Sequence, residues 1–176
     1  DNVLQYFIDN APDSISRAKY SASRERSIGV GALGFHAYLQ RSGTPFEGVM
    51  AKVANNRIFN HIKSGLDVAN ITLGTNRGEA PDAIGTGKRF SHVMAIAPNA
   101  SSSIIMGNTS PSIEPYRANA YRQDTLSGAF LNKNKYLDRI IKGLTQTEEQ
   151  YNDIWSSIIA IDGSVQNLSI LSDEEK

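Results

Sequence analysis

The chain has no cysteine among its 176 residues. That excludes a disulfide framework, a thiolate metal site and any thiol-based nucleophilic or radical step carried by these residues alone. It also has no net charge, because 18 basic residues balance 18 acidic ones. No global field therefore gathers nucleic acid or an anionic membrane surface, and an anion must be held by local groups. No stretch approaches the roughly 18 consecutive apolar residues of a membrane span, and no charged, apolar, small-residue leader opens the chain. Neither nucleic acid nor membrane is expected as a partner, and a cytoplasmic home is expected. Internal repeats and low-complexity segments are absent too.

What is present suffices for one domain, since 40% of the residues are hydrophobic and a chain of this length buries an ordinary core with that share. The opening DNVLQYFIDNAP starts without Met and directly in an apolar-periodic pattern, with Val3, Leu4, Phe7 and Ile8 on one helical face. This is expected of a chain cut from something longer. The pattern predicts a helix over residues 1–10, stopped by Asn10-Ala11-Pro12, followed by a polar, basic stretch with no clear strand.

Ile28, Ala32, Phe35 and Leu39 recur at helical steps up to Arg41, and Ser42-Gly43-Thr44-Pro45 closes that segment. Phe46, Val49, Met50, Val53, Ile58, Ile62, Leu66 and Ala69 then mark a long second helix, bent near Asn55-Asn56, so that 1–75 reads as a helical hairpin region. GTNRGEAPDAIGTGKR, 74–89, reads as a long surface loop. His92 to Ala97 is apolar enough for a buried strand, broken by Pro98-Asn99-Ala100. A turn of serines then leads into a short helix ended by Gly107-Asn108, and the region 90–135 adds an extended segment at Thr125–Leu131. Two helical patterns, Tyr136–Leu144 and Glu148–Ile161, fill 136–161.

Gly29, Gly31 and Gly34 are spaced G-x-G-x-x-G. A dinucleotide-binding turn needs a buried strand running into the first glycine and an acidic ribose partner about 20 residues on. Here SASRERS precedes the motif and Glu47 falls inside a helical pattern. The glycines are therefore expected to be packing glycines on one face of a helix, and a nicotinamide-type oxidoreductase is disfavoured.

The stretch APNASSSIIMG is more informative. After a strand, a tight turn at Asn99, Ala100 and Ser101 leaves main-chain N–H groups of Ser101, Ser102 and Ser103 without helical acceptors. Three hydroxyls and the positive end of the helix dipole lie at the same place. From pattern alone this is either a phosphate site or a plain capped helix. Lys88, Arg89 and Arg117 flank it and either supply charge or are simply solvated. His36, His61 and His92 share no metal-ligand spacing, so no metal site is predicted. Ser101–Ser103 lack the G-x-S-x-G elbow of a hydrolase.

The run SHVMAIAPNASSSIIMGNTSPSIEPYRANAYRQDTLSGAFLNKNKYL, above all APNASSSII followed by SPSIEP, resembles the C-terminal part of the catalytic domain of the ribonucleotide reductase large, or alpha, subunit. RERSIGVGALGFHAYL resembles the family's helix upstream of it, and the likeness extends from Val3 to about Leu144. The resemblance implies an α/β fold, here a helix-rich part of a ten-stranded barrel over residues 1–176. It implies that Asn99, Ala100, Ser101, Ser102 and Ser103 bind substrate phosphates, with Glu114 structural. It further implies oxidoreductase activity that makes deoxyribonucleotides for DNA replication, together with the remaining parts of the alpha chain, a radical-generating small (beta) subunit, a dithiol reductant and a homo-oligomeric assembly. The family's radical cysteine, reducing pair and relay tyrosines have no counterpart in these residues. No catalytic residue and no bound cofactor is therefore expected in this chain, and it is expected to be inactive alone. The alternative is a split or truncated remnant acting as a structural or interaction module.

Overall fold

The computed structural model describes residues 1–126, 128–173 and 175–176. In chain order it contains α1 (Asn2–Asn10), α2 (Ser16–Glu25), α3 (Phe35–Arg41), α4 (Val49–Arg77), α5 (Ala100–Ile105), β1 (Ala120–Thr125), β2 (Gly128–Lys133), α6 (Lys135–Leu144) and α7 (Glu148–Ala160). Two compact units divide the chain: Asp1–Ala32 with Lys52–Asn99, and Leu33–Ala51 with Ala100–Lys176.

In the first unit, α1 ends where Ala11 turns extended ahead of Pro12, as the steric restriction on a residue before proline requires. The polar stretch that followed is a helix, α2. It has no buried residue and hence no apolar period to reveal it, but Ala, Arg, Lys and Glu favour helix intrinsically. It stops at Arg26, which adopts the left-handed conformation and donates its N–H to the Ala22 carbonyl at 3.0 Å. Helix α4 runs unbroken through Asn55-Asn56 and takes in Gly74–Arg77, so the following loop begins later than its composition suggests. That loop is not merely superficial, because Ala80, Ala83, Arg89 and Phe90 are buried. Buried Asn70 of α4 fastens it by acting as a second backbone: its Nδ2 donates to the Phe90 carbonyl at 3.0 Å and its Oδ1 accepts from the Phe90 N–H at 2.8 Å.

Two sequence expectations are corrected here. The helix predicted from Ile28 begins only at Phe35, in the second unit, and residues 28–32, in the first unit, form no helix. Val30 forms a parallel bridge with Met94, while Ile28 N–H donates to His92 O at 3.0 Å and Val30 N–H to Val93 O at 2.9 Å. The buried strand predicted at 92–97 is correspondingly an extended segment with this one bridged neighbour, and Ala95, Ile96 and Ala97 are exposed. A buried parallel strand needs neighbours on both edges, and no second one pairs with it among the described residues.

In the second unit, Leu137, Ile141, Trp155, Ile158, Val165, Leu171 and Ala120 form the core. Leu137 and Ile141 lie four residues apart on the inner face of α6, as helical periodicity demands. Asn134 caps α6, its Oδ1 accepting from the N–H groups of Tyr136 at 3.0 Å and Leu137 at 3.4 Å, and Thr147 caps α7 through Gln150 N–H at 3.2 Å. Both C-terminal helices match the sequence reading to within a residue. The extended segment predicted at Thr125–Leu131 is instead an antiparallel hairpin paired from Ala120↔Lys133 to Thr125↔Gly128; its residue Ser127 lies outside the described residues. The two strands of this hairpin and the single bridge are the only β pairing among the described residues. The α/β class holds, while a ten-stranded barrel is not seen in them.

Candidate functional site

The five residues of the predicted phosphate loop are contiguous, with the boundary between units falling between Asn99 and Ala100. Asn99 turns its Nδ2 back to the Ala97 carbonyl at 3.0 Å, a local hydrogen bond of the kind that favours turns. Ala100 is the first residue of α5. Ser101 and Ser102 follow it in the first turn and are exposed, and first-turn amides have no acceptor within their own helix. Ser103 differs: it is buried, and its hydroxyl donates to the Ala100 carbonyl at 2.7 Å. Two of the three serines therefore offer hydroxyls outward, and the third closes the turn. Ile104, Ile105 and Met106 are exposed along the rest of the helix.

The glycine motif has a different role. A Cβ on Gly29 would stand 2.8 Å from the Ala95 Cβ, and one on Gly31 would stand 2.5 Å from the Ala95 carbonyl oxygen. These glycines do permit close approach, but from an extended segment beside another and not from one face of a helix. Gly34 has φ +83° at the start of α3. The N-terminal amides of α3 are already occupied: Gly34 N–H donates to Ser110 O at 2.8 Å, Phe35 N–H to Ser112 O at 3.4 Å and Ala37 N–H to the Ser110 hydroxyl at 3.2 Å. Three of the amides a pyrophosphate would use are thus taken, and no strand enters Gly29, which tells against the dinucleotide reading. The same bonds explain SPSIEP, whose serines cap α3 from buried positions. Glu114, expected to be structural, is exposed and makes no hydrogen bond or ion pair with the described residues.

Of the flanking cations, Arg89 is committed elsewhere. Its guanidinium bonds the Asp1 carboxylate at 3.3 Å, Arg77 O at 2.9 Å and Gly78 O at 3.1 Å. Asp1 also pairs with Arg26 at 2.8 Å and Arg77 at 2.9 Å. Burial holds the pKa values of Arg26 and Arg89 below the ordinary arginine range. Nothing in the sequence signals this cluster, whose members lie up to 88 positions apart. Lys88 and Arg117 are exposed. His36 accepts from Tyr116 N–H at Nδ1, 3.1 Å away. His92 Nδ1 lies 3.2 Å from the hydroxyls of Ser27 and Ser91, and His61 is exposed on α4. No three His, Asp or Glu residues gather into a metal-ligating group among the described residues. No helix among them is long and apolar enough to cross a membrane.

A family model described as the barrel domain of ribonucleotide reductase matches residues 2–83 and 80–176. The chain is 56% identical over 176 residues to the ribonucleoside-diphosphate reductase large subunit of Invertebrate iridescent virus 3, covering 100% of this chain and 28% of that protein. It is 42% identical over 179 residues to a putative ribonucleoside-diphosphate reductase large subunit of Frog virus 3, covering 100% and 31% respectively. Among solved structures, the alpha subunit of the class Id ribonucleotide reductase of Actinobacillus ureae matches with a TM-score of 0.80 at 39% identity, over 99% of this chain and 31% of that one. The chain thus spans about a third or less of the length of these relatives.

Proposed function

Because the chain belongs to the ribonucleotide reductase barrel-domain family, we propose that it is a segment of a reductase large subunit that captures the phosphates of a ribonucleoside diphosphate. Asn99, Ala100, Ser101, Ser102 and Ser103 are the proposed phosphate-binding residues. The observation that carries this reading is the exposed first turn at Ser101 and Ser102, within the APNASSSII block that carries the family resemblance. Main-chain N–H groups and two hydroxyls there donate to phosphate oxygens, and the adjoining helix dipole favours their negative charge.

The reaction is the reduction of the ribonucleotide to a deoxyribonucleotide. With no cysteine, this chain supplies neither the thiyl radical nor the reducing dithiol. Both come from other parts of the large subunit, a radical-generating small subunit and an external dithiol reductant, and the isolated chain is inactive. The apolar side chains left exposed at Ile96, Ile104, Ile105 and Met106 support a segment that packs against further polypeptide.

The test removes amide donors while sparing the helix, since proline is tolerated in a first turn. In the complete large subunit, Ser101→Pro and Ser102→Pro each raise the KM for ribonucleoside diphosphate about tenfold, the worth of one charge-assisted hydrogen bond. Ser101→Ala, which keeps the amide, raises it less. Unchanged KM in both proline variants overturns the assignment.

A further inference from the structure

The six-residue helix α5 is too short to hold its own direction, and its far end is unusually well tied. Gly107 and Asn108 close it with φ of +79° and +57°. The Tyr116 hydroxyl donates to the Asn108 carbonyl at 3.1 Å, and the Tyr121 hydroxyl donates to the Asn108 side-chain Oδ1 at 2.8 Å. The Lys135 ammonium donates to the Gly107 carbonyl at 3.3 Å, where a cation also complements the negative end of the helix. Thr109 N–H donates to Ser103 O at 3.1 Å, returning the chain onto the serine turn itself. Three side chains from β1, its preceding loop and the start of α6 thus converge on two consecutive residues.

We infer that Tyr121, acting through Asn108 with Tyr116 and Lys135 beside it, is a positioning residue for substrate phosphate. By anchoring the C-terminal end of α5, it holds the Ser101 and Ser102 amides in their binding orientation. This rests on the phosphate assignment made above. Burial drives the Tyr116 pKa up to about 12, so its hydroxyl remains a donor at neutral pH. Tyr121 lies at the edge of exposure, so losing its hydroxyl leaves Asn108 Oδ1 able to meet water, and the fold survives the change.

The experiment measures steady-state kinetics and thermal unfolding of the complete large subunit carrying Tyr121→Phe, Asn108→Gly or Asn108→Asp. Glycine keeps the left-handed backbone but removes the acceptor, whereas aspartate keeps both. Tyr121→Phe and Asn108→Gly each raise the KM for ribonucleoside diphosphate about fivefold, the net worth of one hydrogen bond, with kcat and melting temperature little changed. The double variant is no worse than either single one, and Asn108→Asp stays close to the parent. A merely structural role lowers melting temperature and the active fraction, and leaves KM alone. If Tyr121→Phe leaves KM unchanged while Ser101→Pro raises it, positioning by Tyr121 is wrong and the phosphate loop stands. If Ser101→Pro and Ser102→Pro both leave KM unchanged as well, both fall together.

Discussion

His36 shows how a single side chain in the second unit ties protonation to stability. Its ring packs edge-on against Phe46 and Tyr116, with centroids 5.5 and 5.4 Å away, and Nδ1 accepts the Tyr116 N–H. That bond requires an unprotonated Nδ1, because imidazolium offers two donors and no acceptor. Burial holds the His36 pKa below its ordinary value of 6.5. The neutral form is thus favoured on folding, so the contribution is present above the unfolded pKa and is lost as pH falls through the folded one. Urea unfolding is expected to show stability falling as pH drops below about 6.5. In His36→Gln, whose Oε1 also accepts, that share of the pH dependence disappears. An NMR titration placing the His36 midpoint at or above 6.5 would refute the assignment of a neutral acceptor.

The elements differ in how plainly the sequence announces them, and the reason is whether they carry an apolar stripe, since neither α1 nor α2 has a fully buried residue and only α1 has the stripe. Helices α1, α6 and α7 carry apolar residues at helical steps with a stop or cap beside them, and they lie where periodicity puts them. Helix α2 buries nothing and has no apolar stripe, and in β1 Ala120 is the only buried residue among those described, so neither leaves an apolar pattern to read, whereas the segment predicted at Thr125–Leu131 covers the start of β2. Over 28–41 the apolar spacing is helical, and it holds at α3, but ahead of Phe35 pairing of Ile28 and Val30 with 92–95 wins instead, a tertiary override of local pattern. The glycines make that pairing testable. Gly29 faces a side-chain atom, Ala95 Cβ, whereas Gly31 faces a backbone atom, the Ala95 carbonyl oxygen. Gly29→Ala is therefore expected to destabilise the chain by about 1–3 kcal/mol through overpacking, and Ala95→Gly in the same molecule is expected to recover much of the loss. Gly31→Ala is expected to destabilise at least as much without rescue by Ala95→Gly, because no side-chain change removes a carbonyl. Denaturant midpoints of the four variants check this, and equal rescue of both would show that the two segments approach one another differently. The serine turn that opens α5 was legible because an N-terminal turn is a sequence-local feature, whereas its proposed role as a phosphate site draws on the family resemblance and not on the pattern. The bonds that fix the far end of α5 were not legible, since Tyr116, Tyr121 and Lys135 reach Gly107 and Asn108 only through the fold.

At the scale of the whole molecule, the balance of 18 positive and 18 negative residues conceals a strong local imbalance. Asp1, with its side chain 4% exposed, is the shared partner of Arg26, Arg77 and Arg89, whose side chains are 7%, 44% and 10% exposed. Through these residues it joins the start of α1, the residue closing α2, the end of α4 and buried Arg89 just before Phe90. Removing one carboxylate leaves two nearly buried guanidiniums and a third exposed one facing each other, and an uncompensated buried charge costs about 3–5 kcal/mol. Asp1→Asn is expected to lose stability of this order, and Arg77→Ala about 1 kcal/mol or less, since water already screens that arm. All four residues belong to the first unit, which makes the location of the damage as informative as its size. Hydrogen exchange in Asp1→Asn is expected to quicken in α1, α2 and residues 78–91, while amides of α6 and α7, packed in the Leu137–Trp155–Ile158 core, keep their protection. Uniform loss of protection in both units would instead mean that the chain unfolds as one cooperative body, with the Asp1 cluster holding all of it.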